Sequence, residues 1–594
     1  DALTDADFNV AVGLSALGAD TLGSKSVAVG TGALSTQNFG TATDTFNTAV
    51  GHAAGTAVTT GDRNTLIGSL AGDALNTGAA NVAVGYLALS ADTKGASNVA
   101  IGRSALTAQN FGTATDSFNT AVGDRAGTAV TTGINNTLIG ALTGDALTDA
   151  DANVALGAFA LGADTLGSKS VAIGDSALAT QNFTTATDTF NTAVGFSAGN
   201  DITTGIKNNF IGSLSGDAIT IGSRNVAVGT ETLSTDVQGS KSTAIGQGAL
   251  FAQNFTTATD TFNVAVGFEA GVSVTSGINN TLIGALAGAA LTTATKNTHV
   301  GHSAGGVGVI TGTRNNTFGF EAGKALTSGT NNVFMGSFSG LANSTGVSNT
   351  VCGEAAYITE ADGDENTVVG AEALKLNGSS SNENTMIGFK AGFGNGASAT
   401  SFGGCTFVGR DTGNTGRTST FATILGRGCD QSAADADGEI VIGSNIGGGG
   451  ANTARIGTNQ GHATITCDGS DTSWAAGSDS RLKTNVADCN VGLDFIKDLR
   501  PITYNWQAKN AIADTLPQYD ADSSDPVYGS GKTQHGFLAQ EVKTAIDAHS
   551  GLKNGFTMWS EDPNGTQQVA PTALVPMLVK AIQELEARIA TLEG

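Results

Sequence analysis

A short motif of the form N-[VT]-A-V-G recurs along most of the chain, and its glycines keep a nearly fixed spacing. The first 17 lie at positions 13, 30, 51, 68, 85, 102, 123, 140, 157, 174, 195, 212, 229, 246, 267, 284 and 301. Their steps of 17, 21, 17 and 17 residues repeat four times, so four turns make a super-repeat of 72 residues. A less regular series continues to Gly457, for 26 glycines in all, which we call the column glycines. A constant period of this length predicts a solenoid, in which stacked turns bury a continuous core.

Each turn contains a short strand that ends at its column glycine, and we number the turn relative to that glycine. Side chains alternate along a strand, so Val10 and Val12 (positions −3 and −1) share one face and Ala11 (−2) lies on the other. Because position −1 is apolar in all 26 turns, we expect it to face the interior. A small residue at +3, such as Ala16, predicts tight packing, and stacked Asn or Ser at −4 predicts a hydrogen-bonded ladder. Proline, which would remove ladder donors, is absent before Pro501.

The 21-residue turns contain the sequence QNF[GT]TATD[TS]FN. The four additional residues predict a lateral loop that places Phe39, Asp44 and their equivalents on one side of every fourth turn. The loop carboxylates are candidates for weak glycan or ion contacts, but one carboxylate is far short of the six to eight oxygens that calcium takes. A structural Asx-type turn is therefore the favoured interpretation. These residues are Asp44, Asp116, Asp188 and Asp260.

Several turns carry a close variant of a motif found in one family of surface proteins. KSVAVG (Lys25–Gly30), SNVAIG (Ser97–Gly102) and KSVAIG (Lys169–Gly174) resemble the head repeats of trimeric autotransporter adhesins. The resemblance covers roughly residues 1–460, although the turn here is longer than that family's usual unit. It implies a left-handed β-roll in a bundle of three chains.

Charge and composition exclude several kinds of partner. The formal net charge is −24, and no basic run or stripe is visible along the sequence, which argues against a nucleic-acid or anionic-membrane surface. No run of about 18 apolar residues is present, so we expect no membrane insertion. The six histidines are scattered and the five cysteines have no CxxC spacing, so we expect free thiols, no metal site and no cofactor.

A different kind of chain begins near residue 470, because all six prolines lie at or after Pro501 and all three tryptophans at or after Trp474. We predict three regions: regular repeats, a segment of degenerate repeats that forms a distal tip, and a small α+β domain. Their bounds are 1–340, 341–470 and 471–594.

The last region reads as mixed helices and strands. Val491–Trp506 predicts a short helix followed by a strand, and Lys532–Ile546 predicts a strand that leads into a helix. The chain ends in a helix with apolar residues at alternating steps of 4 and 3, which is the seam of a coiled coil and allows a trimer. The seam residues are Leu578, Ile582, Leu585, Ile589 and Leu592.

Four blocks in this region carry a second resemblance: SDSRLKTNV (Ser478–Val486), LRPITYNW (Leu499–Trp506), GFLAQEV (Gly536–Val542) and LVPMLVKAIQELEARIATLE (574–593). In this order they resemble the intramolecular chaperone auto-processing domain of endosialidase-type phage tail spikes and tail fibres. The likeness covers about residues 474–594. It implies that the domain trimerises, assists the folding of the preceding fibre and then cuts itself off.

The resemblance also assigns roles to residues of the S-D-x-R-x-K motif. It implies that Ser478 is the nucleophile, Lys483 the base and Gly477–Ser478 the scissile bond. Asp479 and Arg481 would form an ion pair that orients the turn. The chemistry suits these residues, since a serine hydroxyl needs a base, and burial can lower the pKa of a lysine enough to provide one.

The sequence therefore predicts a mainly β protein with a trimeric β-solenoid shaft, followed by a small α+β domain that ends in a trimeric coiled coil. The predicted function is that of a phage tail fibre that attaches to a host cell-surface receptor, which we expect to be a glycan. We expect the fibre to be assembled in the host cytoplasm and carried on the virion tail. Because the chain begins at Asp1 without Met, we expect a preceding part that binds other tail proteins. Two alternatives stay open: a bacterial trimeric surface adhesin, and a polysaccharide-degrading tail spike with paired carboxylates in the degenerate repeats, for example Ile358–Thr367.

Overall fold

The structure is a computed structural model with two compact units, residues 1–477 and 478–594. It describes residues 3–306, 308–376, 380–394, 401–414, 418–433, 436–467, 475–476, 480, 483–516, 518–528, 531–553, 555–562 and 565–594. The first unit is a β-solenoid, and the second combines short helices with small antiparallel strand pairs. The predicted mainly β solenoid fold is confirmed, and its trimeric state stays a prediction.

The solenoid is built on one column of short parallel strands, one strand from each turn, in which every residue pairs with its equivalent in the next turn, as Val10 does with Val27. After the last parallel strand the sheet closes with antiparallel strands Gly461–Thr466 and Ala475–Ala476. The 26 parallel strands are Val10–Val12, Val27–Val29, Thr48–Val50, Thr65–Ile67, Val82–Val84, Val99–Ile101, Thr120–Val122, Thr137–Ile139, Val154–Leu156, Val171–Ile173, Thr192–Val194, Asn209–Ile211, Val226–Val228, Thr243–Ile245, Val264–Val266, Thr281–Ile283, Thr298–Val300, Asn316–Phe318, Val333–Met335, Thr350–Cys352, Thr367–Val369, Thr385–Ile387, Thr406–Val408, Thr423–Leu425, Ile440–Ser444 and Thr453–Thr458.

The interior of the coil is lined by position −2, and the prediction that position −1 faces inward was wrong. Ala49 and Leu66 at −2 are fully buried, whereas Ile67 and Ile211 at −1 are 39% and 43% exposed. The reason is the two-residue period of a strand, which places −2 on the same side as the buried Asn at −4. The apolar residues at −1 therefore form an outer row along the shaft, next to a −3 position that is often Thr.

The predicted asparagine ladder at position −4 is confirmed. The backbone N–H of Asn64 donates to Oδ1 of Asn47 (2.9 Å), and that of Asn81 donates to Oδ1 of Asn64 (3.0 Å). The side-chain amide of Asn64 also donates to the carbonyl oxygen of Gly78 (2.9 Å). Because these buried groups satisfy one another from turn to turn, the ladder sets the register of the solenoid without a cost of unpaired polar groups.

Each column glycine sits where the backbone turns sharply and the next turn lies against it. Gly195 has a φ of 144°, and a Cβ on it would collide with the carbonyl oxygen of Gly212. Only glycine combines this conformation with so close an approach.

The 21-residue turns are held by a buried polar network. In the second super-repeat, Asp92 accepts hydrogen bonds from the Gly95 N–H (2.9 Å) and from Nε2 of Gln109 (2.7 Å), while the Asn119 amide donates to Oε1 of Gln109 (2.9 Å). Phe111, the equivalent of Phe39, is buried rather than displayed on a lateral loop, which corrects that part of the prediction. Paired side strands accompany the insertions and one later turn: Gly23–Ser24 with Thr43–Asp44, Gly95–Ala96 with Thr115–Asp116, Gly167–Ser168 with Thr187–Asp188, Gly239–Ser240 with Thr259–Asp260, and Phe402–Gly403 with Ser419–Thr420.

The second unit packs around a small apolar core that includes Phe495, Val542 and Met558. Its elements are helix α1 (Leu493–Asp498), strand Ile502–Tyr504, a 3-10 turn (Lys509–Ala511), strand Gln534–Gly536, helix α2 (Ala539–Ala548), strands Trp559–Glu561 and Gln567–Val569, a second 3-10 turn (Pro571–Leu574) and helix α3 (Val575–Glu593).

Candidate functional site

The predicted processing site lies largely outside the described residues. Four of its residues are not among those that the structure describes, so their assigned roles stay predictions: Gly477, Ser478, Asp479 and Arg481. Lys483 is described: its side chain is exposed in a single chain, and its backbone N–H donates to the carbonyl oxygen of Ser480 (3.2 Å). The predicted base is therefore accessible to solvent unless a further surface covers it.

Two of the blocks that carry the chaperone resemblance are joined directly in the second unit. Strand Ile502–Tyr504 pairs antiparallel with Gln534–Gly536. Arg500, just before the first strand, donates from Nε to Oε2 of Glu541 in α2 (3.0 Å), and a second contact from its guanidinium reaches the other carboxylate oxygen. This bidentate hydrogen bonding lowers the pKa of the Glu541 carboxyl. The pair thus links α2 to the LRPITYNW segment on the surface of the unit.

Helix α3 has two apolar faces, of which the second unit uses one. Met577 and Ala581 pack inward, and Oε2 of Glu584 accepts a hydrogen bond from the backbone N–H of Leu493 at the start of α1 (2.8 Å). The opposite face holds the predicted coiled-coil seam, whose residues are exposed: Leu578 (42%), Ile582 (65%), Leu585 (43%), Ile589 (52%) and Leu592 (86%). The fold of one chain therefore accounts for the inward apolar residues of α3 but not for the apolar residues of its exposed face.

Three of the four loop aspartates form ion pairs with a lysine of the preceding turn. Nζ of Lys25 lies 2.6 Å from Oδ2 of Asp44, and the Lys169–Asp188 and Lys241–Asp260 pairs repeat this geometry at 2.5 Å. Asp116 has no such lysine, because the equivalent position is Ser97. The described residues contain no group of three or more His, Cys, Asp or Glu side chains that could hold a metal ion.

The acidic stretch Ile358–Thr367, proposed above as a place for paired catalytic carboxylates, forms another turn of the solenoid and ends in the regular strand Thr367–Val369. Glu360 is fully buried, and its Oε1 accepts a hydrogen bond from the Ser381 N–H (2.9 Å). Desolvation raises the pKa of Glu360 to about 7. The side chain belongs to the interior of the coil rather than to an open cleft.

A basic surface feature that does not form a run in the sequence becomes apparent when the turns are stacked. In nine consecutive turns, position −5 holds six Lys or Arg residues, two Phe and one Asn. These residues lie 17 to 21 positions apart in the sequence, so no basic run is visible until the turns are stacked. Reading one position of every turn would have found them. This set, the basic column, consists of Lys169, Phe190, Lys207, Arg224, Lys241, Phe262, Asn279, Lys296 and Arg314.

Comparison with known proteins finds a family match within the second unit. Residues 478–551 match the model of a peptidase family described as chaperone of endosialidase. No curated protein matches the chain. In the described part of the chain, none of the helices has the length and apolar character needed to cross a membrane. A β-solenoid shaft followed by a chaperone-of-endosialidase domain fits a tail-fibre-like protein.

Proposed function

We propose that the chain is a phage tail fibre whose C-terminal unit trimerises, assists the folding of the shaft and then cuts itself off between Gly477 and Ser478. The observation that carries this proposal is the family match over residues 478–551, which begins at the predicted nucleophile. The shaft is the structural and host-attachment part. It reaches a glycan receptor on the host surface, sits with other tail proteins on the virion, and is assembled in the host cytoplasm.

Self-association is supported by apolar surface that a single chain leaves exposed. The outer face of α3 carries a heptad seam that includes Ile582 (65% exposed) and Leu585 (43%). Identical helices in a coiled coil would bury a row of this kind, and its mixture of Ile and Leu is compatible with a coiled coil of three helices. The outer −1 positions of the shaft, such as Ile211, add a second apolar face that further copies of the chain would cover.

The proposed cleavage needs a change in the surroundings of Lys483. Its side chain is exposed in one chain. A lysine acts as a base only where its surroundings disfavour the ammonium form, and burial against a neighbouring copy would provide such surroundings. Neutral Nζ then accepts the proton of the Ser478 hydroxyl, Oγ attacks the Gly477 carbonyl carbon, and the peptide nitrogen leaves as an amine after protonation. Water hydrolyses the resulting ester. Cleavage would therefore follow assembly.

The test is a comparison of three single variants of the full chain. Ser478→Ala and Lys483→Ala should each abolish the appearance of fragments 1–477 and 478–594 on a denaturing gel and leave the trimer intact in analytical ultracentrifugation. Ser480→Ala is the matched control, because it removes a hydroxyl from the same motif and should cleave normally. Fragments from Ser478→Ala would contradict the assigned nucleophile.

A truncation tests the chaperone role separately from the chemistry. A chain that ends at Gly477 should give aggregated shaft, because non-local parallel strands pair slowly and expose edges while they do so. Co-expression of residues 478–594 as a separate chain should not restore yield if the two parts must be covalently joined during folding. A truncated shaft that folds in full yield would refute the chaperone role.

A further inference from the structure

The basic column is a continuous line of side chains, because the backbone stacks its members in register. The N–H of Arg224 donates to the carbonyl oxygen of Ile206 (3.0 Å), and the N–H of Lys241 donates to that of Ser223 (3.0 Å). Each bond links position −5 of one turn to position −6 of the turn before it. Successive members are therefore about one β-spacing apart, roughly 4.8 Å.

The backbone at this position disfavours the residues that occupy it. Lys207, Arg224 and Phe190 have φ values of 62°, 60° and 51°, in the left-handed region. Glycine or asparagine adopts this conformation most readily, and other residues pay roughly 1–2 kcal/mol. Only Asn279 in the basic column is such a residue. The same conformation occurs at many other positions of the shaft, such as the buried Leu34 and Leu89, so it belongs to the regular geometry of the coil.

The charge of the basic column is opposite to that of the chain, whose formal net charge is −24. Its six cations face two carboxylates, Asp188 and Asp260, which pair with Lys169 and Lys241. Lys207 is exposed, as are Arg224, Lys296 and Arg314, and within the described part of the chain no salt bridge to these four is found. The column is therefore a local excess of positive charge on an acidic chain, which favours an anionic ligand.

Aromatic rings interrupt the cations and point to the nature of that ligand. Phe190 and Phe262 are 49% and 51% exposed, and Nζ of Lys169 and Lys241 lies 5.4 Å and 5.0 Å from their ring centroids. An exposed ring can stack on the C–H face of a sugar whose acidic group meets one of the four column cations that have no salt bridge among the described residues, such as Lys207 in the turn after Phe190. The column is one residue wide, so it suits a single linear polymer better than a duplex flanked by acidic shaft surface.

We propose that the basic column binds a linear anionic polysaccharide, with sugar carboxylates on the Lys and Arg side chains and sugar rings on the two Phe. The inference rests on the proposed attachment role and deepens it by naming the class of receptor. The column runs over nine turns, so several successive sugars would be bound at once, each weakly.

The first experiment is isothermal titration of the full chain with polygalacturonate at about 50 mM NaCl, where counterion effects are strong. Lys207→Gln with Arg224→Gln should lower the affinity about 30-fold, if each cation contributes as it does beside an anionic surface. Lys94→Gln with Arg125→Gln is the matched control: it removes one Lys and one Arg of the same shaft outside the column and should leave the affinity unchanged. Equal affinities of the two double variants would overturn the proposal.

The second experiment separates sugar recognition from charge alone. Phe190→Leu with Phe262→Leu should weaken binding of polygalacturonate but not of inorganic polyphosphate, which has charges and no rings. Neutral dextran should not bind. Tighter binding of single-stranded poly(dT) than of polygalacturonate would overturn the proposal in favour of nucleic acid. A chain that attaches to host cells but does not bind polygalacturonate would refute this inference and leave the attachment role standing.

Discussion

The shaft and the C-terminal unit hide their apolar residues in different ways. In the shaft, every turn supplies the same interior positions, and side chains such as Ala193 and Phe210 are fully buried within one chain. The C-terminal unit has a single small core around Phe495 and leaves a whole face of α3 exposed, including Ile582. The shaft therefore has a complete interior within one chain, whereas the C-terminal unit leaves most of one apolar helix face uncovered.

The largest effect should come from a charge in the shaft interior. Ala193→Asp places an unpaired carboxylate at position −2 and should cost at least about 4 kcal/mol, with loss of the neighbouring turns. Val194→Asp, one residue later on the outer face, should leave the coil of a single chain folded and act only on association. Circular dichroism and limited proteolysis would measure both. Equal unfolding by the two variants would mean that the inner and outer faces are misassigned.

The two faces of α3 give the equivalent test in the C-terminal unit. Met577→Asp should unfold the unit, because Met577 packs into its core. Ile582→Asp should leave the unit folded but prevent self-association and, with it, cleavage. Sedimentation velocity and the fragment pattern on a gel would distinguish them. A trimer formed by Ile582→Asp would show that the seam is not an interface.

The close approach of turns can be tested by two glycine substitutions in the shaft. Gly195→Ala should destabilise the surrounding turns by roughly 2–4 kcal/mol, because its Cβ would meet the backbone of Gly212 in a conformation that L-residues rarely adopt. Gly40→Ala is the control, since a Cβ there has no neighbour within 4 Å. Thermal unfolding would report the difference. If Gly195→Ala unfolded at the same temperature as Gly40→Ala, the turns would be less closely stacked than the structure shows.

The buried carboxyl of Glu360 should make one part of the shaft sensitive to pH. Its pKa is raised from 4.5 to about 7 by desolvation, so the folded state binds the proton more tightly than the unfolded state. Stability from this group is present below pH 4.5 and falls as pH rises towards about 7. Glu360→Gln should therefore match the wild type at pH 4 and be roughly 1–3 kcal/mol more stable at pH 8. A difference that grows towards acid pH would contradict the assignment.

The smallest effect should come from the exposed ion pairs. Asp188→Ala removes the partner of Lys169 and should change the free energy of unfolding by less than about 0.5 kcal/mol, because both side chains are about half exposed. Glu541→Ala removes the partner of Arg500 in the C-terminal unit and provides a comparison outside the repeats. Chemical denaturation would measure both. A large loss for Asp188→Ala alone would mean that the ion pair holds the 21-residue turn.

The repeat predicted most of the structure of the shaft. It did not predict which strand face is buried, or which side chains of different turns become neighbours. The spacing of glycines predicted the solenoid, and the Asn at −4 predicted the ladder, since both depend on one residue type in each turn. The inward direction of −2 was missed because Ala at that position is less apolar than Val or Ile at −1, although the buried Asn two residues earlier already indicated the correct face. The basic column was missed because its members are neighbours only after stacking.

The C-terminal unit was predicted differently. Periodicity placed α1, α2 and the final helix, and the resemblance supplied the roles of Ser478 and Lys483. Neither source could provide the geometry of the dyad, because the Lys483 side chain is exposed in a single chain. If the lysine becomes a base only on assembly, the information lies in the contacts between chains rather than in the sequence of one.

The 72-residue super-repeat has a consequence for the length of the shaft. Each block adds four turns, or roughly 19 Å of axial rise at the usual strand spacing. A block begins and ends at equivalent ladder positions, such as Asn9 and Asn81. Deletion or duplication of one block therefore joins matching strands and leaves all the remaining turns unchanged. Recombination between near-identical stretches of the gene can thus lengthen or shorten the shaft in whole steps of four turns. Such a change requires no new interface between turns.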